Sequence, residues 1–161
     1  MLNAKITGIA SYIPDDVLDN EMLSQMVDTN DEWITTRVGV KERRILKKPV
    51  GSSYMGIQAV NKLLEETGTD RNDIDLLICP TSNPDHRFPS TASIIAHATG
   101  IEKKAYAYDI QAACAGFLVA RSPRPTKLSN SPAAFRASAS ERPAMRAGII
   151  MFSTALNSGS R

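Results

Sequence analysis

AYAYDIQAACAGFLVA, residues 105–120, holds an apolar run, a cysteine and a second apolar run in immediate succession. Ala105–Ile110 suits a strand, Gln111-Ala112-Ala113 a short connection, and Ala115–Ala120 a helix with Cys114 on its first turn. Working back from this stretch, Ser90 to Ala98 reads as a helix, opened by Pro89-Ser90 and stopped by Gly100. Ile74–Cys79 (IDLLIC) is too short for a helix and suits a buried strand closed by Pro80. Ser52 or Ser53 starts a longer helix, with Met55, Ala59, Val60, Leu63 and Leu64 in one stripe and Gly68 as its stop. Nearer the N-terminus, Ala4–Ala10 reads as a strand running into Tyr12-Ile13-Pro14. Asp19 and Asn20 cap a helix over Glu21–Val27, and Asp28–Asp31 cap another over Glu32–Arg37, ended by Gly39. Val40–Leu46 is then extended. Strands alternating with helices argue an α/β domain with a mostly parallel sheet layered with helices.

The totals narrow the class. At 161 residues with 42% hydrophobic and 22% charged side chains, the chain has enough material for one packed core. No apolar run approaches the ~18 residues of a membrane span, and MLNAKITGIA lacks the layout of a secretory signal, so a cytoplasmic location is expected. Cys79 and Cys114 make neither a disulfide framework nor a CxxC metal pair, which points to free thiols and no metal site. The net charge of +2 is split, with −4 in residues 1–120 and +6 in 121–161.

Cys114 is the candidate nucleophile. A helix start offers unpaired N–H groups and the positive end of the dipole, both of which favour a thiolate. Ala112, Ala113, Ala115 and Gly116 leave room for a carbonyl to reach the sulfur, and an acyl-thioester intermediate suits this setting. Position alone also allows a small buried hydrophobe packed at a helix start.

The neighbouring residues add a family. Ala112-Ala113-Cys114-Ala115-Gly116-Phe117 resembles the active-site segment of β-ketoacyl-acyl-carrier-protein synthase III. Asp28-Thr29-Asn30-Asp31-Glu32-Trp33-Ile34, followed by Arg37, Gly39, Glu42 and Arg43, resembles that family's "DT.DEWI..R.GI.ER" segment, and Phe88-Pro89-Ser90 its "FPS" loop. The resemblance covers residues 1–120 and implies the N-terminal half of a thiolase-like fold, incomplete by itself. It implies a condensing enzyme that joins an acyl-CoA to malonyl-acyl carrier protein through an acyl-cysteine, starting fatty acid chains as a homodimer. No cofactor, nucleic acid or membrane is implied; the CoA thioester is substrate. Cys114 takes the catalytic cysteine's place, while the family's His and Asn lie beyond the matched stretch. Trp33 would lie flat on the CoA adenine, Thr29 beside it, and Arg37 near the phosphate or pantetheine portion. Phe88 matches the residue that crosses the dimer interface to limit the acyl pocket. The residues themselves also permit plainer roles: a core aromatic for Trp33, a solvated charge for Arg37 and a loop aromatic for Phe88.

His86 and His97 match no family histidine and read as structural, and Cys79 as inert core. Lys41, Arg43, Arg44, Lys47 and Lys48 form either a solvated surface or a landing patch for an acidic carrier protein or CoA phosphates. Residues 121–161 are a separate, basic tail with eight Ser, four Pro and no Asp, resembling nothing in the family. Read two bases later, codons for Arg121–Leu128 permit Leu-Ser-Thr-Ala-Asp-Gln, which resembles the family's helix after the cysteine. The tail is therefore expected to be out-of-frame translation or a genuine disordered basic segment.

Overall fold

The computed structural model describes residues 6–48, 50–101, 105–121, 148–150 and 156–157. Its centre is β3 (Leu76–Pro80), buried at all five positions. β4 (Tyr106–Ile110) pairs with it in parallel, Leu76 opposite Tyr106 and Pro80 opposite Ile110. On its other side β5 (Gly148–Ile150) also runs parallel, giving the order β4-β3-β5. Successive residues of a strand face opposite ways, so β3 serves two layers. Leu77 and Cys79 enter a core with Val60 and Leu64 of α3 (Ser52–Thr67) and Ala92, Ile95 and Ala96 of α4 (Thr91–Ala98). Leu76 and Ile78 face the other way, against Ala120 of α5 (Gly116–Arg121). Leu77 is fully buried, and each such side chain contributes roughly 1.5–3 kcal/mol. Helices on both faces of a parallel sheet make this an α/β fold, as expected.

A second sheet is built mainly from residues N-terminal to α3. β1 (Asp16–Asp19) pairs antiparallel with β2 (Glu42–Leu46), and β6 (Leu156–Asn157) lies parallel to β2. Between them come α1 (Asn20–Ser24) and α2 (Asp31–Val38). The caps of α2 are local: Asn30 Oδ1 accepts from Trp33 N at 2.8 Å, and Gly39 ends the helix in the left-handed region at φ 72°.

Two expectations need correction. Residues 6–10 form no strand, and Ala4 and Lys5 lie outside the described residues. Gly8 instead runs close over Leu63 and Thr67 of α3, so close that a Cβ there would collide with the Thr67 methyl. Ile6 and Ile9 stay 61% and 82% exposed, since apolar alternation makes a strand only where a neighbour supplies the ladder. The helix expected over Glu21–Val27 stops at Ser24. Met22, Met26 and Val27 are exposed, and without a surface to bury them the last turn loosens into the bonds Met26 N to Leu23 O and Val27 N to Leu23 O.

Most of the 121–161 segment, residues 122–147, 151–155 and 158–161, lies outside the described residues. Arg121 closes α5. Among the described residues, no helix is long and apolar enough to cross a membrane.

Candidate active site around Cys114

The parallel sheet delivers Cys114 to its C-terminal edge. After β4, Ala112 stays extended in φ at −140°, Ala113 enters the left-handed region at φ 43°, and Ala113–Ala115 form a 3-10 turn. Ala115 N donates to Ala112 O at 3.0 Å, closing that turn before α5 begins at Gly116. Cys114 thus sits in the turn leading into the helix, one step earlier than a first-turn helical position. Its side chain is exposed. Gly116 is buried against the end of β3, where an added Cβ would lie 3.0 Å from Pro80 Cβ, so a side chain here would push α5 and Pro80 apart by a few tenths of an ångström.

Ala113 escaped the sequence reading. A non-glycine residue in the left-handed region costs on the order of 1–3 kcal/mol, and such strain gathers where a side chain must be aimed. Alanine gives no warning of it, whereas glycine or asparagine would have.

The second thiol behaves oppositely. Cys79 on β3 is buried, and burial pushes its thiol up to about 12, with the Asp109 and Asp85 carboxylates adding to the effect. Of the two thiols, only Cys114 is open to a reagent in solution.

On α2, Trp33 and Arg37 are one turn apart and meet. The Arg37 guanidinium lies 5.0 Å from the centroid of the Trp33 ring, which remains 53% exposed. Together with Asn30, Glu32 and Thr36 they line an open groove of about 290 Å³. Thr29 is half-buried just before the Asn30 cap and is not among the groove's lining residues. Cys114 is not among them either, so the two halves of the expected site stand on separate elements. Phe88, in the loop between β3 and α4, is 90% exposed.

The basic run on β2 is largely engaged within the chain. Arg43 Nη1 donates to Asn20 Oδ1 at 2.9 Å, Lys47 Nζ lies 3.1 Å from Asp16 Oδ1, and Lys48 Nζ donates to Tyr54 Oη at 3.3 Å. Arg44 reaches the Asp15 carbonyl at 3.3 Å. His86 and His97 are both exposed, on the β3–α4 loop and the last turn of α4.

No family model matches the chain. Among known proteins it is 56% identical over 118 residues to the β-ketoacyl-[acyl-carrier-protein] synthase III 2 of Bacteroides thetaiotaomicron. The chain is similar to the β-ketoacyl-acyl-carrier-protein synthases III. That match covers 73% of this chain and 35% of the relative. The synthase III of Porphyromonas gingivalis is 52% identical over 120 residues, 74% of this chain and 36% of its own length. Of solved structures, the Aquifex aeolicus 3-oxoacyl-[acyl-carrier-protein] synthase III superposes with a TM-score of 0.67 at 45% identity, over 73% of this chain and 37% of that one. The priming β-ketosynthase of the R1128 polyketide pathway gives 0.67 at 34%, over 73% and 35%. The chain therefore spans about a third of the length of the synthases III it matches, and the α/β fold described above is that of part of a thiolase-fold enzyme.

Proposed function

We propose that residues 1–120 supply the acyl-accepting nucleophile and the CoA-recognition segment of a β-ketoacyl-acyl-carrier-protein synthase III, a cytoplasmic enzyme of fatty acid initiation. The reading is carried by the exposed Cys114 in its strained strand-to-helix turn, inside a stretch that is similar to synthases III. The Cys114 thiolate attacks the thioester carbonyl of an acyl-CoA, the carbon–sulfur bond to CoA breaks, and the CoA thiolate leaves and takes up a proton. Trp33 presents its face to the adenine, Arg37 binds phosphate or pantetheine oxygen, and Thr29 lies beside them. In the assembled homodimer Phe88 limits the acyl pocket across the interface. Condensation with malonyl-acyl carrier protein needs further groups to stabilise the enolate, and the resemblance puts these outside residues 1–120. The 161-residue chain alone therefore does not condense and shows at most weak acyl loading at Cys114. Residues 121–161 lie beyond the synthase-like stretch, either read out of frame or a genuine basic tail, although Gly148–Ile150 pairs with β3 and Leu156–Asn157 with β2.

A second reading is a thiolase-fold acyltransferase of secondary metabolism, supported by the likeness to the R1128 priming ketosynthase. A non-catalytic fragment is a third. One experiment separates them. Incubation with acetyl-CoA and with longer acyl-CoAs, followed by intact mass measurement, is expected to show acyl-Cys114. Trp33→Ala and Arg37→Ala should raise the acyl-CoA concentration needed by about tenfold, while alkylation of Cys114 by iodoacetamide stays unchanged. Preference for acetyl-CoA supports fatty acid initiation, and preference for other donors supports the second reading. No loading from any donor would favour the fragment, and a 3-oxoacyl product from this chain alone would refute its incompleteness.

A further inference from the structure

Asn20 is 2% exposed, and its side-chain amide joins three parts of the chain. Nδ2 donates to Asp31 Oδ1 at 2.7 Å and to the Val40 carbonyl at 2.9 Å, while Oδ1 accepts from Arg43 Nη1 at 2.9 Å. Chemistry fixes the orientation of the amide, because a guanidinium only donates and a backbone carbonyl only accepts. Both Nδ2 protons are thereby used. Asp31 is the first residue of α2 and Val40 lies just beyond its Gly39 stop, so one amide grips the helix at both ends. Asn20 itself follows directly on β1, and Arg43 stands on β2 opposite Leu18, so the grip ties α2 to the second sheet. α2 needs such a tie. It has eight residues, of which Ile34 alone is buried, and helices shorter than ~12 residues are marginal on their own. Its exposed side carries Trp33 and Arg37 and the groove of about 290 Å³ that they line.

We propose that Asn20 is a positioning residue for the Trp33–Arg37 groove: its amide holds α2 folded and in place, and so keeps the groove in the arrangement that binds acyl-CoA. The proposal rests on Trp33 and Arg37 as the acyl-CoA recognition pair and deepens that reading. Asn20 touches no substrate, and it is not among the groove's lining residues. Where only a fraction of a site is correctly arranged, apparent affinity falls by that fraction, although no contact to the ligand is removed.

The test is a titration of the 161-residue chain with coenzyme A, followed by the fluorescence of Trp33, the chain's single tryptophan. In Asn20→Asp the Nδ2 donor becomes a carboxylate oxygen facing the Asp31 carboxylate and the Val40 carbonyl, while the acceptor for Arg43 stays. The dissociation constant should rise about tenfold, while alkylation of Cys114 by iodoacetamide changes by less than about twofold and Cys79 stays unlabelled. The double variant Asn20→Asp/Asp31→Asn restores a donor between positions 20 and 31 and should recover about threefold of that loss. A purely structural role would loosen the core and open Cys79 to the reagent in Asn20→Asp, and that result would overturn the proposal. A double variant that binds no better than the single one would also overturn it. Proton exchange in the unmodified chain provides the check that does not depend on a variant folding. The Asn20 NH2 group should give two slowly exchanging signals in NMR spectra, and rapid exchange would show that the grip is absent. If coenzyme A leaves the Trp33 fluorescence of the unmodified chain unchanged, the recognition reading itself falls, and the positioning role with it. Equal affinity of the unmodified chain and Asn20→Asp removes the positioning role alone.

Discussion

Iodoacetamide at about pH 8 is expected to modify Cys114 and leave Cys79 untouched in the folded chain. Exposure and ionisation act in the same direction. Cys114 is open to solvent, whereas Cys79 is buried in the core and its thiol is pushed up to about 12. With that value roughly one Cys79 in ten thousand is a thiolate at about pH 8, before access is considered. Cys114→Ala should therefore abolish labelling, and Cys79→Ala should leave it as it was. In denaturant both cysteines should react. The linkage has a definite sign. A thiol whose folded value is raised contributes stability that is complete below its free value of about 8.5 and is lost as pH rises toward 12. The folded chain should lose stability between those limits, and Cys79→Ala should remove that part of the slope. Peptide mapping that found Cys79 labelled at a rate comparable with Cys114 would contradict the buried position of β3.

Replacing Asp85 should destabilise the chain by about 1–2 kcal/mol, the usual worth of a helix cap. The N-terminus of α3 has Gly51 at the cap position and no side chain of its own to accept its first N–H groups. Asp85 supplies the acceptor from the β3–α4 loop: Ser52 Oγ donates to Oδ1 at 2.8 Å, and Ser53 N lies 3.2 Å from each carboxylate oxygen. Burial alone would raise this carboxyl, but hydrogen bonds from Ser53 and Ser52 outweigh it together and hold it below its usual value. A depressed carboxyl contributes stability above its unfolded value of about 3.9 that disappears as pH falls through the folded value. The melting temperature should therefore fall below about pH 4 in the parent chain and fall less in Asp85→Ala, which starts lower. Gly51→Ala should share the defect, because its Cβ would occupy the place of the Asp85 carboxylate. Parallel acid profiles for parent and Asp85→Ala would rule out the cap.

Asp85 and Asp109, whose carboxylate accepts from Thr91 N and Ala92 N at the start of α4, also mark what the sequence could and could not disclose. α2 was legible because its start and stop are written locally, in Asn30 and Gly39. β3 was legible because IDLLIC is apolar throughout and too short for anything else. β1, by contrast, is the polar DVLD, and it is a strand only because β2 lies beside it with Val17 opposite Arg44. Asp85 and Asp109 cap helices from 32 or 33 and from 17 or 18 residues away, a distance no local rule spans. The same division runs through the site. The Trp33–Arg37 stack follows from spacing along one helix, and the cysteine stood out by its neighbours. What holds the cysteine's turn, the left-handed Ala113 and the Pro80–Gly116 approach, exists only once β3 and β4 are side by side.

The exposed apolar side of the molecule has a physical cause of the same kind. Tyr106 and Tyr108 on β4 stand opposite Leu76 and Ile78 in the parallel register and so share their face of the sheet. Both tyrosines are exposed, as are Phe117, Leu118 and Val119 of α5. A sheet face and a helix of this composition are ordinarily covered, and the relatives extend over nearly three times the matched length.

Position 113 finally bears on how such a turn can evolve. A left-handed backbone penalises valine, isoleucine and threonine most, so drift toward the β-branched residues that suit its neighbours in β4 is opposed. Glycine is open and would relieve the strain, but it would also free the very dihedral that aims the next residue's sulfur. Alanine is the smallest side chain that keeps the turn stiff while still tolerating the conformation. A lineage selected only for robustness would move away from it, and one selected for a well-aimed thiol would stay.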